Sequence, residues 1–348
     1  MSSPRRDNRI HWGILGCARV AEAVVIPGIK RSRNGRVLAV ASRSLDKAKT
    51  FAEKFGIERA YASYEELLND PDVQAVYIPL PNSMHMEWTL RAAEKGKNIL
   101  CEKPLASNAE QAGQMVQICA SKDLLLMEAF AHRFHPQNVL VKELIERGRI
   151  GKVLRITSVH NSGPPEAGNI RLSKELAGGA LGDKGSYCIN TARFILESEP
   201  ASVYAQVWYS QSGVDERVVA EMTFPSDAVL QFETSFCLAP GAYCQGYEVF
   251  GERGRILVGE PFAQLPTYRQ GKLVETTIVV TDQQNNVERI NVKPSQHWQL
   301  EVEYFADRIM NSQQIEFPAE DGLANMIVMD AVFASSRKES PVELLSGR

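Results

Sequence analysis

The stretch Ile10-His11-Trp12-Gly13-Ile14-Leu15-Gly16-Cys17-Ala18-Arg19-Val20-Ala21 governs how the rest of the chain is read. A short apolar run, Ile10–Leu15, ends in glycine and is followed by a helical pattern over Arg19–Lys30. Length and flanks make the run a buried strand. Gly16, Ala18 and Ala21 stand at the three positions of a G-x-G-x-x-G/A turn. In such a turn a tight bend and a helix N-terminus aim backbone N–H groups at a pyrophosphate. Ala18 replaces the second glycine, so backbone approach there has to tolerate a methyl group. The same pattern also serves ordinary strand–turn–helix packing. Its context, strand before and helix after near the start of the chain, favours the nucleotide turn.

Outward from this turn, strand and helix patterns alternate. Val37–Ala41, Val73–Ile78, Asn98–Cys101 and Leu124–Met127 are apolar runs, while Leu45–Phe55, Met84–Lys95 and Ala109–Ser121 read as helices. Alternation predicts βαβ units on a parallel sheet, and unbroken apolar runs predict a sheet covered on both faces. After about Phe134 the pattern changes. A helix to about Arg147 and a strand Gly151–Val159 lead into a Gly/Pro-rich loop over 162–179, then a helix Asp183–Leu196. Ser202–Tyr209, Val218–Phe224, Val229–Phe236 and Gln245–Phe250 alternate as in an antiparallel or mixed sheet. Helices Trp298–Met310 and Glu320–Arg337 close the chain. The reading is an α/β protein of two domains, 1–130 and 131–348, as expected for 348 residues at roughly 150 per domain.

Composition excludes several classes. With 44% hydrophobic and 23% charged residues the chain is neither disordered nor a coiled-coil rod. Lys and Arg number 39 against 42 Asp and Glu, so the net charge of −3 offers no long-range attraction to nucleic acid or an anionic membrane. Six cysteines form no C-x-x-C and no zinc spacing, and no metal is expected. A chain this long with six cysteines is no disulfide framework, which points to the reducing cytoplasm. Met1–Arg9 is polar and basic, unlike a signal peptide, and no apolar stretch approaches the ~20 residues of a membrane span.

Four further segments carry chemistry. After the second strand, Ser42-Arg43-Ser44 lacks the acidic residue that accepts from the 2′-hydroxyl of NAD; Ser42 and Arg43 suit the 2′-phosphate of NADP instead. Ser44 also reads as a helix N-cap, and both roles fit. Pro81-Asn82-Ser83-Met84-His85 follows the third long strand, where Asn82 and His85 reach a cofactor or merely start a helix. Glu102-Lys103-Pro104 puts an ammonium at a strand end, suited to lowering a hydroxyl pKa or to a surface pair. Asp183 and Tyr187 share one helix face. A phenol near Lys⁺ is a general acid/base, and positive charge favours its phenolate; a buried Tyr with a capping Asp is the structural alternative.

In this order, these segments resemble the glucose–fructose oxidoreductase / inositol dehydrogenase (Gfo/Idh/MocA) family over nearly the whole length. Met127-Glu128-Ala129-Phe130-Ala131-His132-Arg133-Phe134-His135-Pro136 and Gly178-Gly179-Ala180-Leu181-Gly182-Asp183-Lys184-Gly185-Ser186-Tyr187 resemble the branch of NADP-dependent D-xylose and dihydrodiol dehydrogenases. The resemblance implies an N-terminal Rossmann domain and a C-terminal α+β domain with a large open, predominantly antiparallel sheet. It implies NADP(H), or secondarily NAD(H), against Gly16, Cys17, Ala18, Arg19, Val20, Ser42, Arg43, Pro81, Asn82, His85, Glu102 and Lys103. Lys103, Asp183 and Tyr187 take the catalytic positions, and Lys103, Arg133, Phe134, Lys184 and Tyr187 the substrate positions, with packing and salt bridging at the domain junction an equal reading of Arg133 and Phe134. Inositol dehydrogenases carry His where this chain has Tyr187, which points away from them. Two departures stand out: Lys184 replaces a usual apolar residue, admitting an acidic substrate or a solvent-facing cation, and His132 replaces a usual Tyr. The implied activity is hydride exchange with a sugar, polyol or cyclic alcohol, a small-molecule partner. The alternatives are a dihydrodiol substrate or a silent nucleotide- or sugar-binding regulator. An open sheet face, with Trp208, Tyr209, Phe232 and Phe236 as candidates that core packing explains equally well, implies a homodimer or higher homo-oligomer.

Overall fold

The computed structural model describes residues 8–263 and 272–344. Most of the polar start read for a leader, residues 1–7, lies outside the described residues. The first sheet is six-stranded and parallel: β1 Ile10–Leu15, β2 Gly35–Ala41, β3 Arg59–Tyr61, β4 Ala75–Ile78, β5 Asn98–Cys101 and β6 Leu126–Glu128. Its order is β3-β2-β1-β4-β5-β6. The chain therefore reverses direction across the sheet between β1 and β4, the switch point where ligands enter such folds. Ile14, Val40, Val76, Tyr77, Ile99 and Leu100 are all fully buried, because helices cover both faces.

Helices α1 Ile26–Arg31, α2 Leu45–Phe55, α3 Tyr64–Leu68, α4 His85–Glu94 and α5 Ala109–Ser121 provide that cover. Ser44, Ser63 and Asn108 cap α2, α3 and α5 by accepting from the backbone N–H three residues on. The predicted helix over Arg19–Lys30 forms without a break. A π-helical turn, Ala21–Val25, precedes α1. The short β3 and α3 escaped the sequence reading, since three and five residues carry too little periodicity.

The second sheet has nine strands: β7 Val153–Ser162, β8 Ser202–Tyr209, β9 Asp215–Thr223, β10 Val229–Ser235, β11 Tyr243–Gly251, β12 Gly254–Val258, β13 Thr276–Asp282, β14 Val287–Val292 and β15 Val342–Glu343. Their order is β14-β13-β12-β11-β7-β10-β9-β8-β15. Every pair is antiparallel except β7 with β10. Helices α6 Pro136–Glu146, α7 Ser186–Leu196 and α9 Ala319–Lys338 cover one face. Alternation along β8 then buries Val203 and Ala205 and leaves Tyr204, Gln206 and Trp208 on the open face. Trp208 and Tyr209 are 41% and 51% exposed. Phe232 and Phe236, read from sequence as candidates for that face, are buried under the helices instead.

The second half does not close on itself. Helix α8, His297–Met310, leaves the second sheet and packs on α1, β1 and β2 of the first. Trp298, Val302, Phe305 and Ala306 join Trp12, Ile14, Ile26 and Ile29 in one core. Asn34 fixes the helix end by donating to Glu303 O and Asp307 Oδ1 at 2.8 and 2.7 Å. Residues beyond 296 thus complete the core around β1.

Candidate active site

A cavity of about 590 Å³ lies where the carboxyl ends of the first sheet's strands meet the covered side of the second. Ala18, Arg19 and Val20 line it after β1; Pro79, Leu80 and Asn82 after β4; Glu102, Lys103 and Pro104 after β5; and Ala129 after β6. Trp298 enters from α8. Opposite stand His160 on β7, Tyr243 on β11, Asn169–Arg171 on the long loop, and Asp183, Lys184 and Tyr187 around the start of α7.

The β1 turn has the shape its sequence predicts. Gly16 sits at φ +102°, a conformation side chains disfavour, and its N–H donates to Ala41 O at 2.9 Å. Ala18 is already accepting from Glu22 N–H at 3.0 Å, so the chain turns directly into its helix. Cys17 is half-buried behind this turn, and burial pushes its thiol pKa up. This is the cradle a dinucleotide pyrophosphate requires.

A π-helical turn, Leu181–Gly185, runs into α7 and carries Asp183 and Lys184. Lys103 reaches across from the first sheet. Its Nζ donates to Asp183 O at 2.6 Å, lies 3.6 Å from Asp183 Oδ1, and stands 4.8 Å from the centre of the Tyr187 ring. Arg171 Nε pairs with Asp183 Oδ1 at 2.8 Å, and Lys184 Nζ lies 3.9 Å from Oδ2. Burial works to raise the Asp183 pKa, but Arg171, Lys103 and Lys184 together hold it well below the usual carboxylate range. Asp183 is therefore a carboxylate shared by three cations.

Tyr187 behaves differently from the sequence expectation. Burial, with Glu102, Tyr243 and Asp183 nearby, pushes its pKa well above that of free tyrosine. The neighbouring ammonium does not make it a phenolate; it stays a phenol, a proton donor. Its ring packs against Phe130, His132, His160 and Phe262 at 5.2–5.4 Å between centres. Glu102 is held by Tyr77 Oη, 2.5 Å from Oε1, and by the Lys103 N–H, 3.2 Å from Oε2. Burial raises its pKa too.

Several residues read as site candidates are placed elsewhere. His85 is fully buried, its ring nitrogens 2.9 Å from Pro104 O and 2.8 Å from Leu80 O. It braces the loops after β4 and β5 from behind and does not line the cavity. Arg133 donates to Asn190 Oδ1 at 2.7 Å, pairs with Asp321 at 2.6 Å and covers the Phe317 ring. Phe134 packs on Tyr304 and Phe317. Both serve the junction of the 3₁₀ turn Ala131–Phe134 with α7, α8 and α9, away from the cavity wall. His132 stands behind Tyr187, its Nε2 3.2 Å from Thr191 Oγ1. Ser42 is buried and accepts from Ser44 N–H at 3.3 Å. Arg43 is exposed beyond the end of β2, and Pro81 precedes the turn bearing Asn82, both outside the cavity wall. Asn82 spends its amide on Ala177 O at 2.8 Å, tying the halves together at the cavity mouth.

Sequence reasoning missed His160, Tyr243 and Trp298. Each lies in an alternating or amphipathic segment where one polar or aromatic residue carries no signal. Arg171 lies in a loop that sequence could not place. No group of three His, Cys, Asp or Glu suited to a metal occurs among the described residues.

Comparison with known proteins agrees with this geometry. Residues 10–130 match the model of the oxidoreductase family with NAD-binding Rossmann fold, and 139–257 match the GFO/IDH/MocA C-terminal domain. The chain is 34% identical to D-xylose 1-dehydrogenase (NADP(+)) 2 of Haloferax volcanii, over 96% of this chain and 99% of that protein. It is 38% identical to trans-1,2-dihydrobenzene-1,2-diol dehydrogenase of Xenopus tropicalis over 59% of this chain and 62% of that one. The crystal structure of a 3-ketoreductase from Actinomadura kijaniata with NADP and TDP-benzene superposes with a TM-score of 0.86 at 30% identity, covering 94% of this chain and 98% of the other. The paired domains, the β1 turn and these full-length likenesses together make the chain an NAD(P)-dependent oxidoreductase of the Gfo/Idh/MocA family.

Proposed function

We propose that this protein moves hydride between NADP(H) and a hydroxyl or carbonyl carbon of a sugar, polyol or related cyclic alcohol. The observation that carries this reading is the convergence of Lys103, Asp183 and Tyr187 on one cavity at the carboxyl ends of a parallel sheet. The residues present fit a dinucleotide: the positive-φ Gly16 with Cys17, Ala18, Arg19 and Val20 for the pyrophosphate, and Asn82 and Glu102 further along the cleft. Arg43 is exposed at the end of β2 with no acidic residue beside it, which favours a 2′-phosphate. NADP is also named for the Haloferax relative and bound in the Actinomadura structure.

When bound, the nicotinamide supplies or accepts the hydride. Tyr187 exchanges the proton at the reacting oxygen. Held as a phenol by burial, it is poised to protonate a carbonyl oxygen. Lys103 polarises that oxygen and stabilises charge developing on it. Asp183 anchors Lys103 through its backbone carbonyl and carboxylate. A wall of Lys103, Arg171, Lys184 and Asp183 suits a polyhydroxylated substrate better than the aromatic diol named for the Xenopus relative. We also read the open face as a homodimer contact in a cytoplasmic protein. Tyr204, Trp208, Val219 and Leu257 are 37–43% exposed, and a groove of about 390 Å³ crosses that face. All six cysteines are unpaired, consistent with a reducing compartment.

Tyr187→Phe tests the assignment. It should lower kcat by about 10²–10⁴ and leave NADPH binding, read by fluorescence, intact. An unchanged kcat overturns the role given to Tyr187.

A further inference from the structure

Lys184, unlike Lys103 and Arg171, makes no hydrogen bond to Asp183 from its place in the cavity wall. Its side chain is 93% buried, being 7% exposed, yet it lines the cavity. Its Nζ is 3.9 Å from Asp183 Oδ2, beyond hydrogen-bond reach, and sits 4.8 Å from the Tyr243 ring centre. The ring face attracts the charge but accepts none of the three N–H donors. Arg171 and Lys103 take Oδ1 and the main-chain carbonyl of Asp183, and Oδ2 stays out of hydrogen-bond reach of the ammonium. His160 Nε2 is turned to Tyr243 Oη at 2.6 Å. Burying an ammonium costs several kcal/mol unless acceptors are supplied.

The charge count points the same way. Lys103, Arg171 and Lys184 face one carboxylate, and Glu102 is shifted by burial toward its neutral acid. The wall keeps an excess of positive charge. Two of its cations, Arg171 and Lys184, stand on the second half, across the cavity from the Ala18–Val20 turn suited to pyrophosphate. A neutral hydroxyl can accept from Lys184, whereas an anion also holds it as an ammonium against the burial that lowers its pKa to about 8.

We infer that the substrate carries an anionic group, a carboxylate or a phosphoryl group, seated on the Lys184 ammonium between Tyr243 and Asp183. This rests on the oxidoreductase reading above and narrows its substrate class to acidic sugars. Lys103 is left to the reacting oxygen, so Lys184 is a specificity residue. Its position fixes which end of the substrate faces the cofactor cleft.

The test compares glucuronate and galacturonate with glucose and galactose, and adds glucose 6-phosphate. Binding to the NADP(H)-loaded protein is read by calorimetry and turnover by NADPH absorbance. Either hexuronate or the 6-phosphate should exceed its neutral counterpart at least tenfold in Kd or kcat/KM, and the better arm names the group. Lys184→Met should lower the acid-to-neutral ratio at least tenfold, chiefly through KM, and Lys184→Arg should retain part of it. Equal binding of acidic and neutral sugars by the wild type overturns the inference. So does a ratio unchanged in Lys184→Met. Because the wild-type comparison needs no variant, a misfolded substitution leaves the test standing. NADPH binding with turnover of neutral sugars alone rejects the acidic class but keeps the oxidoreductase reading; failure to bind NADPH rejects both.

Discussion

Gly179→Ala is the substitution whose cost can be worked most directly from the geometry. Gly179 adopts φ +127°, and a Cβ there would lie 1.9 Å from Asp215 Oδ1 and 2.8 Å from its Cγ. Backbone strain of this kind costs about 1–3 kcal/mol. The contact also evicts the Asp215 carboxyl, which accepts from the Leu181 N–H at 2.6 Å. Losing that bond from a buried group costs a further ~1.5–3 kcal/mol. The total, about 2.5–6 kcal/mol, corresponds to a fall in Tm of roughly 3–8 °C for a chain of this size. The damage reaches the site, because Gly179 N–H donates to Arg171 O and Gly179 O accepts from Asp183 N–H, at 3.0 and 3.2 Å. Scanning fluorimetry of Gly179→Ala, Asp215→Ala and the double variant measures both parts. If eviction is the mechanism, the double variant falls little further than Gly179→Ala alone, with a shortfall from additivity of about 1.5–3 kcal/mol. A Tm within 2 °C of wild type for Gly179→Ala, or strict additivity, would refute the reasoning.

Three other outcomes are expected. Arg43→Ala should weaken NADPH about tenfold, the loss of one charge-assisted phosphate contact, and barely change NADH; equal effects on both, read by fluorescence titration, contradict a 2′-phosphate role. Glu128 lies buried beside Asp321, Arg133 and Arg193, and burial lifts its pKa to about 8. The folded state therefore keeps a proton that the unfolded chain releases between its ordinary pKa and about pH 8, and this contribution to stability falls as pH rises through that window. Glu128→Gln should gain stability relative to wild type by at most about 3 kcal/mol between pH 5.5 and 8.5, seen as converging or crossing Tm curves. Trp208→Glu, on the open sheet face, should yield a monomeric sedimentation mass at micromolar concentration, and an unchanged oligomer speaks against that face as the contact.

The first sheet was legible in sequence, β3 apart, because its central strands are largely apolar and α2 and α5 begin at Ser and Asn caps. Leu45–Phe55, Asn98–Cys101 and Ala109–Ser121 are read to the residue. The edge of the second sheet was not. In β14, Val287–Val292, five of six residues are not buried, so little apolar contrast marks the strand. At the site, Lys103, Asp183 and Tyr187 carried family signatures and do converge. His85, Arg133 and Phe134 share those signatures, yet neighbouring positions in a motif need not face one cavity. His85 is used to brace two loops, and Arg133 to satisfy Asp321 and Asn190. The upward push on the Tyr187 pKa was not legible either: Lys⁺ nearby is visible in a motif, whereas desolvation depends on Phe130, Phe262 and His160 from distant segments.

The return of α8 to the first sheet bears on how the protein is born. Trp12 is fully buried and packs against Phe305, whose ring centre is 5.8 Å away, across about 290 intervening residues. At about 5–20 residues per second on the ribosome, Trp12, Ile26 and Ile29 wait roughly 15–60 s for their cover to be synthesised. During that interval the nascent first half presents an apolar stripe to the cell. The core of the first half is therefore closed only once residues 297–310 have been made.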